Sequence, residues 1–310
     1  MYYLATILPA VRRLKIPLSR DQIMLLMVAF NEFMLAVEIY LAHSISGTIV
    51  PYEWIPIIFG VIAGIILGFA GIVALRKRSL AMWISIPTYL ASIAVGLLGA
   101  YFHISRAVLA GAPAGQQVGI SLTIWAPPVL APLTFALVGV LGLSAIWVEQ
   151  PVDSGTLIFF GGRRMQLPYS KTRGYFFWIS MAMLATLISS VLDHARTNFS
   201  NPWLWVPTAA GILGVVVSLG IGALDKPNRG DIWVYFVSMI VIIIVAVTGM
   251  VLHILNNLSV DNTIVGERFI RGAPVLAPLL FADIASLAIV VLLDPDETAE
   301  LKGYIKSEHS

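Results

Sequence analysis

Residues 128–136 read Pro-Val-Leu-Ala-Pro-Leu-Thr-Phe-Ala, and residues 274–282 read Pro-Val-Leu-Ala-Pro-Leu-Leu-Phe-Ala. The two stretches differ only at Thr134 and Leu280, and they lie 146 residues apart. Working outward, Trp83, Gly99, His103 and Ile104 return 150 residues later as Trp233, Gly249, His253 and Ile254. At an offset of 151, His43, Pro51, Trp54, Pro56, Gly60 and Gly71 return as His194, Pro202, Trp205, Pro207, Gly211 and Gly222. Self-similarity at a nearly fixed period marks an internal duplication. The same two histidines recur in both copies, which gives them a shared physical job.

Composition sets the class. The 310 residues are 58% hydrophobic and 12% charged, with a mean hydropathy of +0.89, as expected of a polytopic helical membrane protein. Apolar runs recur eight times, at 21–42, 54–75, 80–104, 123–148, 174–194, 203–224, 231–255 and 271–293. Each is near the length that spans a bilayer. The expected fold is therefore all-α integral membrane: eight transmembrane helices as two tandem four-helix bundles, a parallel 4+4 repeat. An even number of spans per copy gives both copies one orientation, related by a pseudo-twofold axis along the membrane normal.

The expected organisation is an interfacial segment at 1–20, a first repeat at 21–148, a linker at 149–173, a second repeat at 174–293 and a tail at 294–310. Residues 1–20 carry Arg12, Arg13, Lys15 and Arg20 without a continuous apolar core, so the first span is read as an uncleaved signal anchor. Tyr2 to Leu18 is read as a basic stretch lying along the interface, shortened by Pro9 and Pro17. Lysine and arginine concentrate in the N-terminus, at Arg76-Lys77-Arg78, between Arg163 and Arg173, at Lys226 and Arg229, and in the tail. The opposite connections hold only Arg106, Arg196 and Arg268, with Arg271 at a helix mouth. By the positive-inside rule both termini are cytoplasmic, the linker and tail with them, and the expected location is the plasma membrane.

On this topology His43 and His103 end the first and third spans at the outer face, and His194 and His253 do the same in the second copy. The first and third helices of an up-down bundle are diagonal, so inward side chains can grip one cofactor between them. Two histidines with no matching carboxylate suit haem b, the expected cofactor; Fe, Cu or Zn as a bare ion is the alternative, and no cofactor is the third. For a bare ion, Asp193 beside His194, with Glu38 or Glu53 in the first copy, supplies a carboxylate. Gly99 and Gly249 lie one turn before His103 and His253, where a missing side chain admits a porphyrin or a neighbouring helix. The plainer reading of each histidine is a hydrogen bond to a loop carbonyl or a headgroup. The tryptophans at span ends read as an interfacial belt, and the proline pairs as shapers of helix starts. With no cysteine in the chain, disulfides, iron–sulfur clusters and c-type haem are excluded.

Three carboxylates fall inside spans without a cation beside them: Glu32 and Glu38 in the first, Asp283 in the eighth. Such groups face protein or water and mark a possible proton path. They are not duplicated, since the second copy has Met183 and Ser189 at the positions of Glu32 and Glu38. Protonated carboxyls bonding between helices are the structural alternative.

Eight spans in tandem four-helix bundles with paired outer-side histidines resemble the plan of haem A synthase. The resemblance is one of architecture; that family's outer-loop cysteines are absent, and it implies neither the activity nor any site residue here. The expected function is a membrane-embedded redox protein with paired-histidine sites near the outer face, linked to quinol or to other membrane subunits. The alternatives are a cofactor-free transporter or channel using the intramembrane carboxylates, and a structural subunit of a larger complex. The net charge of +2 reflects loop bias, and no basic face tracks nucleic-acid phosphates.

Overall fold

A computed structural model describes residues 4–13, 18–44, 47–108, 120–159, 162–258 and 266–293. The helices are α1 (Arg20–Ser44), α2 (Trp54–Ala74), α3 (Arg78–Phe102), α4 (Ile120–Trp125), α5 (Leu130–Ile146), α6 (Lys171–Ala195), α7 (Trp205–Ala223), α8 (Arg229–Leu258), α9 (Gly266–Arg271) and α10 (Ala277–Val291). Six of them, α1, α2, α3, α6, α7 and α8, are long and apolar enough to cross a membrane, as in a membrane-spanning helical protein. Two more apolar helices, α5 and α10, are shorter.

Helices α1, α2, α3 and α5 pack in a ring, each against the next and α5 back against α1; α6, α7, α8 and α10 pack in the same order. The two sets meet where α5 touches α6 and α1 touches α10. The α2 sequence explains its placement. Ile58, Ile62, Ile65, Phe69 and Ile72 form one outward stripe at helical spacing, while Gly60, Ala63, Gly64, Leu67 and Ala70 face inward. Lipid accommodates large apolar side chains as well as protein does, so the small residues go where helices must approach closely. At Gly96 of α3 an added Cβ falls 2.6 Å from the Ala136 backbone nitrogen and 3.0 Å from the Pro132 carbonyl oxygen of α5. Gly142 of α5 is likewise filled by the Tyr89 ring.

Gly96→Ala is therefore expected to lower stability by about 1–3 kcal/mol, because backbone on the far side cannot yield. Gly68→Ala, with nothing within 4 Å of its Cβ position, should leave stability unchanged or slightly raised. Thermal unfolding of the two variants in detergent makes the comparison.

Two of the expected helical runs are corrected. The run 123–148 is not one helix: α4 ends at Trp125, Ala126-Pro127-Pro128 intervene, and α5 begins at Leu130. Consecutive prolines lack N–H donors and force the preceding residue out of helical geometry. The run 271–293 is similarly helical only from Ala277, after Gly272-Ala273-Pro274. The linker is also folded. Strands β1 (Val148–Glu149), β2 (Thr156–Ile158) and β3 (Arg164–Gln166) form an antiparallel sheet in the order β1-β2-β3, with Val148 opposite Ile158 and Leu157 opposite Met165. Gly155, at φ +76°, makes the turn into β2. The N-terminal segment is partly described. It forms two 3₁₀ turns, Leu4–Thr6 and Pro9–Arg13, whose Leu4 and Ile7 join the core, and Leu4 N–H donates to the Leu292 carbonyl. The tail 294–310 lies outside the described residues.

A buried charge cluster joins the two sets at the end where α1, α3 and α6 begin. Lys171 Nζ donates to Asp21 Oδ2, and Arg20 Nη1 donates to Thr172 Oγ1 at 2.8 Å. Positions 20 and 21 correspond to 171 and 172 at the 151-residue offset. Each set thus offers its helix-start cation to the residue following the partner's own. Tyr175 O–H donates to Asp21 Oδ1 at 3.0 Å. The linker adds two carboxylates. Asp153 accepts from Thr172 Oγ1 at 2.9 Å, and Glu149 accepts the N–H groups of Gly155 and Lys171 at 2.7 and 2.9 Å. Arg78 donates to the Ala145 and Ile146 carbonyls that end α5, satisfying groups a helix C-terminus leaves open.

Candidate functional site

His43 is in the last turn of α1 and His103 follows the last residue of α3, so the diagonal helices bring both rings to the end opposite the charge cluster. The ring centroids are 6.2 Å apart, with the planes at 75°. His43 Nδ1 lies 2.9 Å from the Ile39 carbonyl oxygen in its own helix. His103 Nδ1 lies 3.0 Å from the Pro128 carbonyl oxygen, just before α5. A carbonyl can only accept, so Nδ1 carries the proton in each ring. With Nδ1 turned to a carbonyl, Nε2 is the ring nitrogen that could ligate a metal. His43 Nε2 lies 4.0 Å from Glu53 Oε1, whose Oε2 accepts the Val50 N–H at 2.9 Å. His103 opens a π-helical turn, His103–Val108, and such turns recur where a side chain is re-aimed at a site.

The second set repeats half of this. His253 Nδ1 is 2.7 Å from the Pro274 carbonyl oxygen, the counterpart of Pro128. The duplicated proline segment therefore supplies an oriented carbonyl to the third-helix histidine in both copies, because a proline-rich start leaves carbonyls outside the helical ladder. Asn257 braces that loop in the second copy: its amide donates to the Ala273 carbonyl and accepts the Ala273 N–H, both at 2.9 Å. His194 differs from His43. Its Nδ1 is buried and makes no hydrogen bond. Its ring packs edge-on against Phe199 at 6.2 Å, with Phe199 stacked on Trp205. His253 is within electrostatic range of His194, but the close ring pair belongs to the first set.

The glycines serve helix packing. The space beside Gly99 is taken by Pro132, whose Cβ lies 2.7 Å from an added Cβ, and that beside Gly249 by Pro278 at 3.2 Å. It is the neighbouring helix that makes the close approach at both positions. Asp193 sits 3.7 Å from Arg196 Nη1, and Arg196 Nε donates to the Ile124 carbonyl at 2.9 Å, linking α6 to the histidine end of the first set. Among the described residues no group of three or more His, Asp or Glu side chains is placed to hold a metal ion.

The three intramembrane carboxylates occupy two separate places. Glu32 is fully buried inside the first set, where Ser92 of α3 meets its Oε1 at 2.5 Å. Asp283 of α10 accepts from Asn31 Nδ2 of α1 at 2.9 Å, between the sets. Glu38 is within electrostatic range of Asp193, also from one set to the other. Sequence reading missed Ser92 and the Asp21–Lys171 pair. A single serine in an apolar run carries no periodic signal, and a basic residue at a helix start reads as a loop charge. Comparison with protein-family models, with curated proteins and with solved structures finds no match to this chain.

Proposed function

We propose that the chain is an integral plasma-membrane redox protein whose His43–His103 pair binds a metal centre, with haem b the leading cofactor. The observation that carries this is the pairing of two imidazoles at 6.2 Å, each with its Nδ1 turned to a backbone carbonyl. Metal–nitrogen distances of about 2.0–2.1 Å put two ring centroids roughly 6.4 Å apart when the imidazoles bind opposite sides of one metal. A tetrahedral ion would draw them to about 5 Å on the same distances. A bare ion also needs further ligands, for which Glu53 is the nearest carboxylate. His43 and His103 would hold the iron of such a haem, which when bound would supply reversible one-electron transfer. The backbone carbonyls of Ile39 and Pro128 orient the two rings.

In this proposal α5 and α10 complete eight spans in two four-helix repeats. The exchanged contacts Lys171–Asp21 and Arg20–Thr172 support a twofold relation between the repeats. The basic residues at the Arg20, Arg78 and Lys171 end support a cytoplasmic position for that end and for both termini. The histidines then face outward, toward a quinol or another membrane subunit.

Purified full-length protein is expected to show a Soret band and a reduced-minus-oxidised α-band, both lost in His43→Ala and in His103→Ala. His194→Ala should remove less absorbance, because its ring lies against Phe199. Stoichiometric iron, copper or zinc without porphyrin would replace haem by a bare ion. A colourless, metal-free preparation sinks the redox reading. It would favour a transporter instead, for which the specific observation is the Asn31–Asp283 bond and the Glu38–Asp193 approach between the sets.

A further inference from the structure

We propose that Glu32 is a proton-binding site at mid-depth in the first four-helix set: a neutral carboxylic acid that donates to Ser92 and exchanges its proton with water. The inference does not rest on the histidines holding a metal.

The argument is a count of protons. Ser92 Oγ lies 2.5 Å from Glu32 Oε1 and 2.8 Å from the Phe135 carbonyl oxygen. A serine hydroxyl carries one proton. The Phe135 carbonyl has none to give, so when Ser92 donates to it, the proton between Ser92 and Glu32 comes from the carboxyl. The chain runs from Glu32 O–H to Ser92 Oγ and from Ser92 O–H to the carbonyl of Phe135. The other carboxyl oxygen, Oε2, is buried and has no hydrogen-bond partner. A carboxylate would leave half its charge on that bare atom, whereas a neutral acid leaves only a carbonyl oxygen there. Glu32 forms no ion pair with any described residue. Tyr89, itself buried on α3, is the titratable group in electrostatic range; from α2 the packed neighbour is Gly60 and from α5 it is Phe135.

The fold does not require this pair. At the 151- and 150-residue offsets the second set carries Met183 and Ile242, both fully buried, which meet beside Gly214. The same layer of the same architecture is thus filled with no polar group, so a buried acid at Glu32 answers to something other than packing. Glu32 and Ser92 each precede their helix's histidine by 11 residues, about 16 Å along a helix axis. The acid layer therefore sits about three turns beneath the His43–His103 pair, on matching faces of α1 and α3. Ionisation is a plain transfer: the Glu32 O–H bond breaks, the electron pair stays on the carboxyl, and water takes the proton.

Infrared spectroscopy of the full-length protein in lipid nanodiscs tests this. A carbonyl-stretch band of a neutral carboxylic acid is expected at neutral pH, shifting on transfer to deuterium oxide and absent in Glu32→Gln. Ser92→Ala, which removes the acceptor, should move the same band to higher wavenumber. A wild-type spectrum that Glu32→Gln leaves unchanged means the residue is ionised, and overturns the proposal. A Glu32 band that never exchanges, or that Ser92→Ala leaves in place, overturns it equally, as a sealed structural acid.

Discussion

Asp21→Ala is expected to lower stability by about 3–5 kcal/mol, the range for removing one partner of a buried ion pair. Lys171 and Arg20 are 3% and 2% exposed, so neither charge can turn to water when the carboxylate goes. Lys171 would keep the Trp147 carbonyl, 2.5 Å from Nζ, and Arg20 would keep Thr172 and the face of Tyr175, but both would lose the carboxylate beside them. Because the pair joins α1 to α6, the loss should fall on the docking of the two sets. Thermal unfolding in nanodiscs measures the size, and faster protease cleavage within 149–170 would localise it. Asp21→Leu combined with Lys171→Met should recover much of the loss, since it removes both buried charges instead of stranding one. Asp225→Ala is the control. Its carboxylate pairs with Arg173 but is 83% exposed, so its loss should cost no more than an exposed pair, about 0–1 kcal/mol. A fall for Asp21→Ala no greater than that control would show that the cluster does not hold the sets together.

Glu32→Lys is expected to cost at least about 3 kcal/mol, the insertion penalty for a lysine at the centre of a spanning helix. Inside a packed helix set the ammonium finds no carboxylate and no room to reach the interface. Gly60 shuts one side, with its Cβ position 2.7 Å from the Glu32 carbonyl oxygen and 2.9 Å from Ala36 Cβ. Glu32→Gln keeps both the shape and a donor to Ser92 and should stay within about 1 kcal/mol of the parent. The double variant Glu32→Met, Ser92→Ile copies the layer the second set already uses, and should fold. Yield and thermal midpoint of the three variants in detergent give the ordering. A lysine variant as stable as the glutamine variant would mean that the helix set makes room for a charge at position 32.

The duplication was legible because both copies keep prolines, glycines, tryptophans and histidines at nearly constant offsets while the apolar residues between them drift. That pattern led to the ring order of helices and to histidines at one end. The break at Pro127-Pro128 was within reach of the same reading, since proline pairs stop helices, but apolar composition on both sides of it suggested one continuous run. The linker strands were not legible. Three-residue strands such as Thr156–Ile158 are too short to show alternation, and the turns between them are held by Glu149 and Asp153, which accept from backbone N–H groups and from Thr172. Gly99 was ambiguous in sequence between cofactor and helix; the position of Pro132 decided it.

From the sequence alone follow the membrane-compatible helices, the twofold internal similarity and the residues worth watching, because hydropathy and repetition are properties of order along a chain. Which of those residues meet was decided by tertiary structure. Ser92 reaches Glu32 across 60 positions and Lys171 reaches Asp21 across 150. His43 closes on His103, while His194, in the same place in the other copy, turns to Phe199. Contacts of this kind are set by where packed helices put side chains in space, and short-range electrostatics and hydrogen bonding respond only to that distance.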